Sequence, residues 1–193
     1  MATTEIETFC PASVKDWRQW LKKYHSKKQC IWLICYKKET GKPTLSWSDA
    51  VDQALCYGWI DGTRKSVDHE SFMQYFSRRK PNSMWSKINK NKVEKLIADG
   101  QMTQAGLNAI EIAKENGSWT ILDDVEELVI PKDLENAFKT QPGSKPYFMS
   151  LSKSVKKMIL HWVTVAKRPE TREKRITEVV TLAAKQQRHQ RFM

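Results

Sequence analysis

Near residue 80 the spacing of apolar residues changes period, and that change restricts the chain to few architectures. Before it, Cys30-Ile-Trp-Leu-Ile-Cys-Tyr36 is short, β-branched and aromatic, and reads as a buried strand. Trp59 to Val67 and Ser71 to Ser77 read as two more strands around an Asp68-His69-Glu70 turn. From Ser83 onward the apolar residues recur three and four apart, which is helical spacing. Strands followed by helices imply an α+β fold: a small N-terminal sheet of about three strands with helices, then a mainly helical C-terminal half.

The boundaries follow from capping residues. Residues 1–10 read as an extended or frayed arm; Ser13 then caps a helix whose Trp17, Trp20, Leu21 and Tyr24 share one face. Ser46 or Ser48 caps the next, with Val51, Ala54, Leu55 and Cys56 inward and its end near Gly58. A helix opening at Asn82 or Ser83 carries Trp85, Ile88, Val93, Leu96 and Ile97 to a stop at Gly100. Thr103 caps another, with Leu107, Ile110 and Ala113 inward, and the short loop between the two predicts antiparallel packing. Pro131, Ser144, Ser152 and Pro169 open the remaining helices. The expected organisation is an α+β part with a helix pair over 1–117, an acidic linker over 118–130, a helical module over 131–188 and a basic tail over 189–193.

Charge narrows the partner class. The formal net charge is +11, and it is unevenly spread: residues 144–193 hold 12 Lys/Arg against 3 Glu, whereas residues 111–135 hold 8 acids against 2 Lys. Such segregation favours an anionic partner, either a small molecule or nucleic acid. No apolar run approaches the ~18 residues needed to span a bilayer, so no membrane span is expected. The opening residues lack a secretory signal's basic start and apolar stretch, which predicts a cytoplasmic protein. Cys10, Cys30, Cys35 and Cys56 contain no C-x-x-C pair and read as reduced thiols, with no metal site and no cofactor implied.

The candidate site lies where the period changes. Arg78, Arg79 and Lys80 precede the expected helix start, where free backbone N–H groups and the helix dipole favour an anion. Ser83 would add a capping hydroxyl, Lys87 a further charge, and Trp59 or Trp85 an apolar wall. Asp61, bracketed by Gly58 and Gly62, either forms a structural ion pair with these arginines or serves as an acid/base in the same cleft. An enzyme would rest on that Asp61, because the chain has no nucleophile elbow, P-loop or H-E-x-x-H. A second basic cluster, Lys167, Arg168, Arg172, Lys174 and Arg175, suits unspecific phosphate contacts to nucleic acid, without any helix-turn-helix, zinc-finger or RRM signature.

Four blocks in order, Ala54-Leu-Cys-Tyr-Gly-Trp-Ile-Asp-Gly62, Arg78-Arg-Lys-Pro-Asn-Ser-Met-Trp-Ser86, Gly100-Gln-Met-Thr-Gln-Ala-Gly106 and Ala166-Lys-Arg-Pro-Glu-Thr-Arg-Glu-Lys-Arg-Ile176, resemble the signature segments of the YdeI/OmpD-associated family. The resemblance runs from about Trp17 to Lys185. It implies an α+β N-terminal part with a helical C-terminal module, and a stress role in bacteriocin or antimicrobial-peptide tolerance. It implies no particular reaction or ligand.

Overall fold

The computed structural model describes residues 7–187 and Arg191, and the chain divides into two units, one ending at Trp119 and the other beginning at Thr120. In the first unit four strands form one sheet: β1 (Thr8–Phe9), β2 (Cys30–Tyr36), β3 (Trp59–Ser66) and β4 (Ser71–Arg78), in the order β1-β2-β4-β3. β1 runs parallel to β2, and the other pairs are antiparallel, with Trp32 opposite Tyr75 and Ile31 opposite Phe76. The alternation along β2 decides its faces: Ile31, Leu33 and Cys35 are buried, whereas Trp32 and Ile34 on the other side are only half-buried.

Two helices cover the buried face. Ser13 caps α1 (Val14–Tyr24) by accepting from Asp16 N, and Trp17, Trp20 and Leu21 form the expected inward stripe. Ser46 caps α2 (Trp47–Cys56), whose Ala50, Val51, Ala54, Leu55 and Cys56 are buried. Trp17 joins the layers: its indole donates to Ala50 O at 3.0 Å and packs against Trp20 and Phe76. Two later helices, α3 (Lys87–Ala98) and α4 (Gln104–Glu115), pack on α2.

Several expectations need correction. The segment read as an arm contributes the fourth strand, because Trp32 N donates to Glu7 O at 3.0 Å and draws Thr8 and Phe9 alongside β2. A two-residue strand has no periodicity to reveal it. α3 begins at Lys87, not at Asn82 or Ser83; its cap is Ser86, whose hydroxyl accepts from Asn89 N. Residues 80–83 instead close a turn, with Ser83 N donating to Lys80 O and Lys80 N to the Ser83 hydroxyl. Ile88 and Ile97 consequently face outward, leaving Val93 and Leu96 as the inward pair. Both α3 and α4 dock on α2. The Thr103 hydroxyl makes no cap bond to α4; it donates to Cys56 O at 2.6 Å.

The second unit contains α5 (Asp123–Glu126), α6 (Lys132–Lys139), α7 (Ser144–Ser150), α8 (Lys153–Thr164) and α9 (Pro169–Ala184). The acidic segment read as a linker thus holds a short helix, and its Val125 is buried. α9 buries Ile176, Val179, Val180 and Ala183 and packs on α6, α7 and α8. The tail at 189–193, together with Arg188, lies outside the described residues apart from Arg191.

One ion pair joins α9 to α6. Arg172 meets Asp133 through Nε at 2.5 Å and Nη2 at 3.0 Å, and its Nη1 donates to Val163 O at 3.0 Å. The Arg172 hydrogen bonds hold the Asp133 carboxyl below its ordinary range. With the folded-state value the lower one, the pair stabilises the fold above the unfolded carboxyl pKa of about 4, and that contribution disappears as pH falls through the folded value. Arg172→Met should therefore melt earlier than wild type at pH 7, and the gap should narrow as pH is lowered into the acid range in thermal scans followed by circular dichroism, leaving the part owed to the Nη1 bond to Val163 O.

Candidate functional site

At the end of β4 the chain crosses the end of α2 and meets one face of α4, and a cavity of about 280 Å³ opens there. Arg79 fixes the crossing: its backbone N–H donates to Gly58 O at 2.9 Å, while Arg78 N donates to Gln29 O at 2.9 Å. Gly58 has φ +71, and a Cβ on it would lie 2.8 Å from Ala105 O, so only glycine lets the strand, α2 and α4 approach this closely. The far side is held by Cys56 O, which accepts from both Thr103 N (3.1 Å) and the Thr103 hydroxyl. The turn after Lys80 is tied to the end of α4, because Asn116 Nδ2 donates to Pro81 O at 2.9 Å.

Arg79 is the most buried of the three cations that line this cavity. Its guanidinium lies over the Trp85 ring at 3.6 Å from the centroid, and its Nη1 donates to Met84 O at 3.3 Å. Arg79 is only 9% exposed, and its buried Nε has no hydrogen-bond partner among the described residues. Burial pushes its pKa down to about 10, against the opposing pull of the Asp61 charge, which leaves it cationic at neutral pH. A buried charge with an unsatisfied donor costs on the order of 1–3 kcal/mol or more relative to a satisfied one.

The structure gathers some of the expected residues and separates others. Arg78, Arg79, Lys80 and Trp85 line the cavity together. Arg78 is already engaged, donating through Nη2 to His25 O at 3.0 Å, while Lys80 is exposed. Trp59 sits in the core with no exposure, its indole donating to His25 O at 3.2 Å, outside the lining. Asp61 is also outside it and accepts from the Trp47 indole at 3.0 Å. Ser83 belongs to the turn and Lys87 to the first turn of α3; neither lines the cavity.

Sequence reasoning missed the opposite wall. His25, Ser26, Tyr57 and Gly58 contribute to it, and α4 supplies Ala105, Asn108, Ala109 and Ile112. The α4 residues repeat at helical spacing on a face separate from the core stripe of Ile110 and Ala113, and that second stripe was the available signal. In the second unit, Arg172 and Arg175 are committed internally, Arg175 donating to Trp162 O at 2.5 Å and lying over the Trp162 ring. Lys167, Arg168 and Lys174 are exposed. Among the described residues no helix is long and apolar enough to cross a membrane. Cys35 and Cys56 are buried free thiols; burial raises both, Cys35 to about 11, which keeps them protonated.

Residues 9–109, which carry the sheet and most of the cavity lining, match the family described as a domain of unknown function, DUF8412. The match covers just over half of the 193 residues. The chain belongs to the DUF8412 family. Residues 127–186 match a second family, described as bacteriocin-protection, YdeI or OmpD-associated, over only that part of the chain. Three of the four sequence blocks, at 54–62, 78–86 and 100–106, fall within the DUF8412 segment, and only the block at 166–176 falls within the second. The YdeI/OmpD resemblance therefore holds for the C-terminal helices, and the cavity belongs to the DUF8412 part. No curated protein and no solved structure matches the chain.

Proposed function

We propose that the DUF8412 part binds a small anion, with Arg79 as its anchor and Trp85 holding the guanidinium in place. The observation that carries this reading is a largely buried guanidinium, Arg79, lining a formed cavity together with Arg78 and Lys80. Lys80 adds long-range attraction from the rim. Binding is favoured over catalysis because Asp61, the acid on which a catalytic role depended, holds the Trp47 indole outside the lining. Binding in this cavity is also favoured over nucleic-acid contact by the C-terminal helices, since Arg172 and Arg175 are spent on internal bonds. The match of residues 127–186 supports a bacteriocin- or antimicrobial-tolerance setting for that binding, and the free thiols suit the cytoplasm.

Calorimetric titration of the full chain with inorganic phosphate and with acetate, in low-chloride buffer, tests the reading. Wild type is expected to bind at least one of them saturably. Arg79→Met, which keeps an unbranched apolar stem and removes the guanidinium charge, should bind at least tenfold more weakly, a difference of about 1.4 kcal/mol. Equal affinity in the two proteins, or no binding in wild type, would overturn it. The variant should remain folded, because the desolvation penalty removed with the buried charge offsets the loss of its bond to Met84 O and its stack on Trp85, and circular dichroism checks this.

A further inference from the structure

Resting on that anion reading, we infer that the ligand is a small amphipathic organic anion: one carboxylate or phosphate head on a compact apolar body about the size of a single aromatic ring. The cavity is two-sided in its chemistry. Its cationic side is built by Arg79, Arg78 and Lys80. Its other side is an aliphatic stripe of α4, Ala105, Ala109 and Ile112, which repeat at i, i+4 and i+7 and so stand one above another.

Three observations define the body. First, Ile112 is 42% exposed although it lines the cavity, so it presents apolar surface that a bare inorganic ion would leave wet. Second, Ala105 and Ala109 are the smallest side chains that keep α4 helical, and the cavity exists where longer ones would fill it; the body is seated against them. Third, a volume of about 280 Å³ lies at the lower end of organic ligand sites, which extend from roughly 300 to 1,000 Å³. That suits one ring with its head group. Asn108 lies on the same face of α4 and offers the ligand a polar contact between the two ends.

The experiment titrates the full chain by calorimetry with acetate, inorganic phosphate, benzoate, phenyl phosphate and adenosine monophosphate. Its second arm uses Ile112→Ser, a change at an exposed position that leaves the core intact. The expected result is that benzoate binds at least tenfold more tightly than acetate, or phenyl phosphate at least tenfold more tightly than phosphate; which pair responds identifies the head group. Ile112→Ser should reduce that advantage at least threefold and leave the affinity for acetate and phosphate unchanged. If acetate or phosphate binds in an Arg79-dependent manner but the aromatic counterparts bind no better, the amphipathic ligand is excluded while the anion site stands. Tighter binding of adenosine monophosphate than of phenyl phosphate would overturn the size limit. Should none of the five bind, the anion site falls with the inference.

Discussion

Gly106→Ala is expected to lose about 3 kcal/mol or more of the first unit's stability, the upper end of what overpacking costs. A Cβ at this position would stand 2.5 Å from Cys56 O and 2.7 Å from Leu55 O. Both are backbone carbonyls at the end of α2, and neither can swing aside as a side chain would. Met102 Cε, at 2.6 Å, can move, but it would release only part of the collision. Relief requires α4 to back away from α2, which also stretches the two hydrogen bonds from Thr103 to Cys56 O and separates the walls of the cavity. Against a typical total of 5–15 kcal/mol, that loss is large. Urea unfolding followed by tryptophan fluorescence should show a lower midpoint, and anion affinity should fall even where the variant is still folded. A variant that keeps the wild-type midpoint would mean that α4 docks less tightly than these distances require.

Trp17→Ala should be at least as damaging, at about 3–5 kcal/mol. The indole has no exposure, contacts Trp20 and Phe76, and donates its N–H to Ala50 O. Truncation leaves a void among the largest side chains of the core and withdraws a donor from a buried carbonyl. The site does not collapse easily, because α1 and α2 are each fixed against the sheet by several other contacts. Thermal denaturation should therefore shift strongly downward, or the protein should accumulate in insoluble form. Trp17→Phe, which retains most of the volume and loses the N–H with part of the second ring, should recover more than half of the deficit. Trp17→Phe and Trp17→Ala melting together would show that the hydrogen bond, rather than the packing, carries the effect.

Much of this architecture was readable from local signals. β2, with its apolar alternation bounded by polar turns, has the limits expected of it, and Ser13 and Ser152 cap the helices that follow them. Where two serines compete within a few residues, pattern alone falls short. Ser83 is taken up by the turn it closes with Lys80, and Ser86 caps the helix from Lys87. The cavity was half legible for a related reason. Arg78, Arg79 and Trp85 are close in sequence and could be grouped in advance, whereas Tyr57 and Ile112 join them only because Gly58 and Gly106 permit close approach between distant elements. Asp61 and Trp59 were grouped by proximity along the chain. The pleat sends both toward the α2 side of β3, where Trp59 enters the core and Asp61 meets Trp47.

The double acceptance at Cys56 O has a kinetic corollary. Because Thr103 fastens the start of α4 through both its backbone and its side chain, the cavity has its shape before any guest arrives. For the ligand proposed above, little ordering entropy would then be lost on association. Encounter should be fast and single-exponential, with residence time, rather than arrival, separating good guests from poor ones.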